Sequence, residues 1–388
     1  MKNKLATVLI IALSGTSFSH TSHADVLDKT SFKFSGFIKV DGILSQYSDG
    51  TIASGNIGRD FYIPSLTPVG GEEEGAQLDA HARQSRFRFS TDTKLGNGDT
   101  VSGVLEFDFQ ATPNGDERIS NSYTPRVRHA FLKYKNWLVG QTWSTFQDVR
   151  TLPESLDFIG ATDGTVFARQ ALIRYSQGGF DISLENPETT ITPFGGGSRI
   201  VADDNAVPDL ALRYTFKQDW GHIAIAGLVR QLSYENKQGG SDIDTSTTST
   251  GISVTSKIKF GQDDLRLMAT TGKGLGRYLA LNAVNGAVLD VNNELQSIDS
   301  YAISAAYRHL WDSQWRSTLG YSIFSADNDI TLTGGSVAKE TYSVRANLLY
   351  SPSPELTFGG EYSYAKQTKE NDLDGDMSRL QFSAKYAF

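Results

Sequence analysis

The chain contains no cysteine. That removes disulfides, thiolate nucleophiles and cysteine-held metal centres together, and leaves the protein indifferent to an oxidising compartment. It also lacks long apolar runs: Leu5 to Leu13, near the N-terminus, is the only extended one, and the mean hydropathy is −0.31. A membrane-crossing helix needs about 20 apolar residues, so no transmembrane helix is expected. Basic residues are in the minority, 36 Lys and Arg against 44 Asp and Glu. Such a balance offers no basic face to replace counterions on a nucleic-acid backbone, and nucleic acid is set aside as a partner.

The short apolar run has its own meaning. Met1-Lys2-Asn3-Lys4 precedes it and the small residues of Ser22-His23-Ala24 follow it, the pattern of a cleaved export signal. Residues 1–24 are read as that signal, and 25–388 as a single domain. Removing 24 residues from 388 leaves 364 and, with Lys2 and Lys4 gone, takes the formal charge from −8 to −10. The mature chain is acidic and exported.

What the rest of the sequence does have is alternation. Ile252, Val254, Ile258 and Phe260 interleave with Ser253, Thr255, Lys257 and Lys259, and Leu210, Leu212, Tyr214 and Phe216 interleave with Asp209, Ala211, Arg213 and Thr215. A period of two with one apolar face marks strands. Sixteen such segments are read, near 32–46, 82–95, 99–111, 126–135, 137–143, 169–177, 179–186, 208–217, 220–232, 250–260, 263–273, 297–310, 313–326, 339–351, 354–366 and 376–388, with ends uncertain by about 2 to 4 residues. Many are close to the 9 to 11 residues of a tilted membrane strand.

Short and long connections alternate between them. Gly96-Asn97-Gly98, Gln177-Gly178-Gly179, Gly261-Gln262-Asp263 and Ser351-Pro352-Ser353-Pro354 are tight turns, whereas 47–81, 187–207, 233–249 and 274–296 are long and polar. Short periplasmic turns and long outer loops are the asymmetry of outer-membrane barrels. The low-complexity stretch from Gly239 to Gly251 falls where an outer loop is due and is read as one. No composition shift divides the chain, and there is no room for a separate plug.

Alternating strands alone also fit a soluble β-sandwich or β-helix. An antiparallel chain this long must hide both sheet edges and one apolar face, and a closed barrel in lipid does both. Tyr134, Tyr175, Phe260, Tyr350 and Phe388 stand at strand ends, where interfacial aromatic girdles are found. The expected fold class is therefore all-β: a transmembrane antiparallel β-barrel of 16 strands.

Between Arg126 and Tyr175 the sequence carries Gly140-Gln141-Thr142-Trp143-Ser144-Thr145-Phe146 and Pro153-Glu154-Ser155-Leu156-Asp157-Phe158. This stretch resembles the DcaP-like family of trimeric porins. The resemblance implies sixteen strands, a homotrimer in the outer membrane of a Gram-negative bacterium, and uptake of dicarboxylates and related anions. It implies an inward-folding loop between the fifth and sixth strands, which the strand reading places at about 144–168. Some members carry a coiled-coil extension before the first strand; here Asp25 to Ser31 leads directly into Phe32-Lys33-Phe34, so a trimer would rest on barrel walls alone.

On strands with one face assigned to lipid, the other face is rich in arginine: Arg86, Arg88, Arg126, Arg128, Arg174, Arg213, Arg230, Arg308, Arg345 and Arg379, with Lys257 and Arg266. Parity places Arg213 between Leu212 and Tyr214, while Arg126 and Arg128 lie on a strand apolar on both faces. Any one of these reads more simply as a clamp on a loop carboxylate. As a set they form a ladder that lowers the barrier for anions, since guanidinium matches carboxylate in shape. Against the ladder, loop 144–168 carries Asp148, Glu154, Asp157 and Asp163, beside Arg150 and Arg169. Folded inward, these acids would face the basic wall and orient dipolar solutes.

No catalytic constellation assembles. His129, His222 and His309 fall on separate strands, and no Gly-x-Ser-x-Gly motif is present. Glu72-Glu73-Glu74 and Asp203-Asp204 read as solvated loop charge rather than a divalent-cation site, so no metal and no cofactor is expected. Two classes stay open: a passive diffusion channel for small anionic solutes, held by membrane lipid and lipopolysaccharide, or a barrel anchoring an enzyme or adhesin. A polar lumen on nearly every strand and the lack of a long passenger favour the channel.

Overall fold

The computed structural model describes residues 27–110, 123–237 and 242–388; the expected signal, 1–24, lies outside them. Sixteen antiparallel staves close into one barrel. They are β1 (Thr30–Tyr47), β2 (Gln77–His81 continued by Arg86–Lys94), β3 (Thr100–Asp108), β4 (Arg126–Tyr134), β5 (Trp137–Trp143), β6 (Arg169–Gln177), β7 (Phe180–Glu185) and β8 (Asp209–Gln218). The second half comprises β9 (Gly221–Asn236), β10 (Ile243–Phe260), β11 (Asp263–Lys273), β12 (Asp299–Leu310), β13 (Trp315–Asp327), β14 (Ala338–Ser353), β15 (Leu356–Lys369) and β16 (Asp374–Ala387). All sixteen expected strands are present.

β16 pairs with β1 from Phe37↔Ala387 to Tyr47↔Met377, which leaves no free edge. The seam continues through a reciprocal pair, Gly36 N–H to the Phe388 carbonyl at 2.9 Å and Phe388 N–H to the Gly36 carbonyl at 3.0 Å. Only glycine fits at 36, because a Cβ there would stand 2.1 Å from the Arg86 carbonyl oxygen.

Two readings are corrected. The second stave is broken: Asp41–Ser45 pairs with Gln77–His81, and Thr30–Phe37 with Arg86–Thr93, so the stave begins five residues before 82. The supposed low-complexity loop is largely strand, since β9 and β10 run on as a hairpin with Asn236 opposite Ile243 and Arg230 opposite Ser249. Threonine is β-branched and suits a pleated ladder; only 238–241 fall outside the described residues.

The faces sort by parity. Ile223, Ile225 and Val229 on β9, Ile252 and Val254 on β10, and Tyr301, Ile303 and Tyr307 on β12 are exposed on the outside, while their neighbours are turned inward. The wall is uneven in height: β5, β6 and β7 have 7, 9 and 6 residues, against 16 and 18 in β9 and β10. Four short strands, Thr189–Thr192, Ile200–Ala202, Ala287–Leu289 and Leu295–Ser297, form a small second sheet in the long loops.

The lumen is not polar all round, which is a further correction. Ala211, Ala226, Leu228, Ala302 and Phe324 on the inner faces of β8, β9, β12 and β13 pack with Phe146, Val166, Leu275, Tyr278 and Leu279 from two inward loops. Small alanines let the loop chains approach the wall, and the barrel thus acquires an internal apolar core from its own loops.

If the outer band meets hydrocarbon, an outward charge near mid-stave must be costly. Ile303→Arg should lower stability by about 2 to 4 kcal/mol, measured by urea unfolding of barrels folded into lipid vesicles. Gln262→Arg, in a tight turn, should cost far less. Equal effects would place Ile303 away from lipid.

Candidate functional site

The loop between β5 and β6, 144–168, enters the lumen and is fastened along the wall. At its start the Asp148 carboxylate receives His222 Nε2 at 2.7 Å, Thr255 Oγ1 at 3.1 Å and Arg150 Nε at 2.6 Å. Arg213 donates to the Gln147 carbonyl at 2.5 Å, and Arg266 to that of Leu152. At the far turn Glu361 of β15 accepts from Ser155 Oγ at 2.8 and 2.9 Å, from the Leu156 amide at 3.0 Å and from the Asp157 amide at 3.3 Å. Lys39 Nζ and Gln381 Nε2 donate to the Leu156 carbonyl at 2.5 and 2.9 Å. The loop returns past Asp163, which accepts from Tyr62 Oη at 2.7 Å, Ser322 Oγ at 2.8 Å and Ser343 Oγ at 2.5 Å. Gly164 then lies against β12, where a Cβ would come within 2.4 Å of the Ile303 carbonyl oxygen.

Three of the loop acids are therefore anchors. Asp148, Asp157 and Asp163 are buried, and Asp157 receives the Tyr62 amide at 2.9 Å. They do not present a row of charge to the wall, as the sequence had suggested. Glu154 alone does so, meeting Arg316 Nη2 at 2.8 Å and Arg308 Nη1 at 3.9 Å. Its backbone carbonyl accepts from Asn347 Nδ2 at 2.8 Å.

The arginines fall into three groups. Arg86, Arg88, Arg126 and Arg128 line β2 and β4 around two carboxylates of β3. Glu106 lies 3.6 Å from Arg86 and from Arg88 and 2.9 Å from Arg128; Asp108 lies 2.9 Å from Arg126 and 3.0 Å from Arg128. A bulge between Glu106 and Phe107 pairing turns both Arg128 and His129 inward, which is why parity failed there. Arg308 bonds Asp264 at 2.8 Å, where Arg266 at 2.6 Å and Lys257 at 3.5 Å join it.

The second group holds loops. Arg174 Nε donates to Thr145 Oγ1 at 2.6 Å and its Nη2 to the Trp143 carbonyl, and Arg213 adds Asp181 at 2.8 Å to its grip on Gln147. Arg169 stacks on Trp143, 4.5 Å from the ring centre. The third group is shut away. Arg230 and Arg345 are each 3% exposed and Arg379 2%; Arg230 faces Asp209 at 3.4 Å and loop carbonyls, and Arg345 faces Glu361 at 3.4 Å. These are clamps, placed by parity on the inner face but covered by the inward loops.

Sequence reading missed Lys39, Arg316, Lys385 and Glu361. Lys39, Arg86, Arg316 and Lys385 line a cavity of about 230 Å³ beside Glu154 and Phe158. Lys385 has no carboxylate within ion-pair distance among the described residues; its ammonium lies 4.5 Å over the Phe37 ring, with Arg86 5.1 Å from the same ring. The inward parity of Phe37, Lys39 and Asp41 was legible in the sequence, yet Lys39, Lys385 and Arg316 were not among the inward cations read from it. His129, His222 and His309 each engage a different neighbour, Thr142, Asp148 and Asp263.

A closed antiparallel barrel with an inward loop fastened across its lumen is the architecture of an outer-membrane porin. The profile of the DcaP outer membrane protein family matches residues 2–388, and the chain belongs to that family. It is an outer-membrane channel of the Gram-negative type. No curated protein matches it. Among solved structures, the outer membrane channel DcaP of Acinetobacter baumannii is similar at 23% identity and TM-score 0.75, covering 93% of this chain and 98% of that one. A loop-deletion form of OmpT from Vibrio cholerae (15% identity, TM-score 0.57, 93% and 100% covered) and an anion-selective porin from Comamonas acidovorans (12%, 0.57, 92% and 100%) share the fold.

The Asp148 anchor has a definite pH signature. Burial pushes its carboxyl up, but the hydrogen bond and charge of Arg150, with His222, pull harder and hold it below the ordinary carboxylate range. A depressed folded pKa contributes stability above the unfolded value, about 3.9, and that contribution is lost as pH falls through the folded value. Single-channel current noise should therefore stay flat from neutral pH to about pH 4 and rise only below it. Asp148→Asn should be noisy at pH 7; a quiet variant would mean that this anchor does not hold the loop.

Proposed function

We propose that the channel passes small anions in preference to cations, with dicarboxylates the best-suited solutes. The observation that carries this reading is the sharing of inward carboxylates. Glu106 serves Arg86, Arg88 and Arg128; Asp264 serves Lys257, Arg266 and Arg308; Glu154 serves Arg308 and Arg316. With Asp108 and Arg126 added to the first cluster, four acids here answer eight cations, so these two stretches of wall hold a surplus of positive charge. A ring of such charge favours anions.

A dicarboxylate suits this wall because its two ends can meet two cations at once, as Arg316 and Lys385 offer across the 230 Å³ cavity. Each charge-assisted contact contributes on the order of 1.5 to 3 kcal/mol before desolvation. The net is a weak site, which a channel needs if the solute is to leave.

We infer further that the protein is exported by removal of residues 1–24, sits among outer-membrane lipid and lipopolysaccharide, and assembles as a homotrimer. The low wall of β5 to β7 supports the trimer, since staves of 7, 9 and 6 residues fall at or below a membrane strand's 9 to 11 and would be better covered by a neighbouring barrel. Beyond β3 and β4, Phe34, Phe89 and Phe388 form an outward cluster, with Phe34 5.0 Å from Phe89 and 5.3 Å from Phe388 between ring centres.

Reversal potentials in a potassium chloride gradient test the solute reading. The wild type should be chloride-selective, succinate should interrupt the chloride current, and Arg316→Gln with Lys385→Gln should weaken both effects. A cation-selective wild type would sink it. Light scattering in mild detergent should give three protomers per particle; a monomer would overturn the assembly.

A further inference from the structure

The 230 Å³ cavity is not the lumen's only basic recess. Across the barrel, at the short-turn rim of β6 to β8, lies a second cavity of about 330 Å³. Arg213, Thr215 and Lys217 line it from the inward register of β8, because Tyr214 and Phe216 between them are exposed outside. Arg150 reaches it from beneath the inward loop, its Nη2 3.2 Å from Thr215 Oγ1. Ser176 and Asp181 complete the set, with Ser176 Oγ donating to Asp181 at 2.5 Å.

The charges here are unequal. Asp181 pairs with Arg213 at 2.8 Å, and Arg150 pairs with Asp148 at 2.6 Å, an acid already shared with His222. Lys217 is exposed and has no ion-pair partner among the described residues. A recess large enough for a small solute thus holds one uncompensated ammonium, flanked by two guanidiniums fixed in direction by their carboxylates.

We infer that this recess is a second anion station, which receives small oxyanions at the periplasmic end of the channel. The inference rests on the reading of the channel as anion-conducting and adds a place where the solute pauses after the loop. It shares none of its lining with the first cavity. Two weak sites in one pore let an arriving anion displace the one ahead, which keeps flow from stalling at either.

The probe is inorganic phosphate, added to full-length channels in planar bilayers carrying chloride. Phosphate on the short-turn side should interrupt the current, and Lys217→Gln should raise the concentration required by about three- to fivefold, from that side alone. Lys217→Arg, which keeps the charge, should restore the wild-type value. If the wild type is chloride-selective but Lys217→Gln responds to phosphate like the wild type, the station does not exist while the anion reading stands. An equal loss from both sides would likewise overturn the station. A wild type without anion preference removes both.

Discussion

A buried carboxylate that cannot reach water must find every hydrogen bond it needs in protein, and Glu361 finds most of its partners in the turn of the inward loop. Its oxygens gather the Ser155 hydroxyl, the Leu156 and Asp157 amides, Asn347 and Arg345. The Asp157 amide is shared between Glu361 and the Ser155 hydroxyl, which itself donates to Glu361, so wall and loop each satisfy a need of the other. That mutual dependence fixes where Glu154 sits, and with it the pairing of Arg316 and the border of the first cavity. Asp163 and Asp148 repeat the arrangement with the roles reversed, as loop acids held by wall hydroxyls and a wall imidazole.

The barrel was legible because lipid and lumen impose opposite tastes on successive residues. Where both faces meet the same medium that contrast disappears. Beyond the apolar band of β9 and β10, Thr245 and Ser249 turn inward to Glu294 and Ser297 of a polar loop while exposed residues between them face water, so burial alternates but hydropathy does not. Read by periodicity such a segment looks like a loop. The break in β2 was hidden for a related reason, since Gln77–His81 offers only Leu78 as a large outward apolar residue.

The site was less legible than the fold, and the reason is distance along the chain. Parity places a side chain inside the barrel but cannot say whether a loop then covers it. Arg230 and Arg308 have the same inward register, yet one is sealed behind the 274–298 loop and the other keeps a partly open side. Glu361 meets the Leu156 amide across 205 residues. Nothing in its own strand, between Gly360 and Tyr362, signals such a partner.

On the anion-channel reading proposed above, the internal apolar core explains how an acidic chain would hold a basic pore. Phe146, Leu275, Tyr278 and Leu279 fill the lumen against β8, β9, β12 and β13, and burial of those side chains contributes about 1.5 to 3 kcal/mol each. One space left to solute lies toward β1, β2 and β13 to β16, where Lys39, Arg86, Arg316 and Lys385 stand, and another at the short-turn rim of β6 to β8 beside Arg213 and Lys217. Acids such as Glu72, Glu73 and Glu74 lie exposed in an outer loop, and salt screens their field within about 8 Å at physiological strength. The inner cations act at contact distance beside protein of low polarizability, where screening is weak. What an ion meets is therefore set by which charges the loops leave uncovered, and the formal −8 of the whole chain has little part in it.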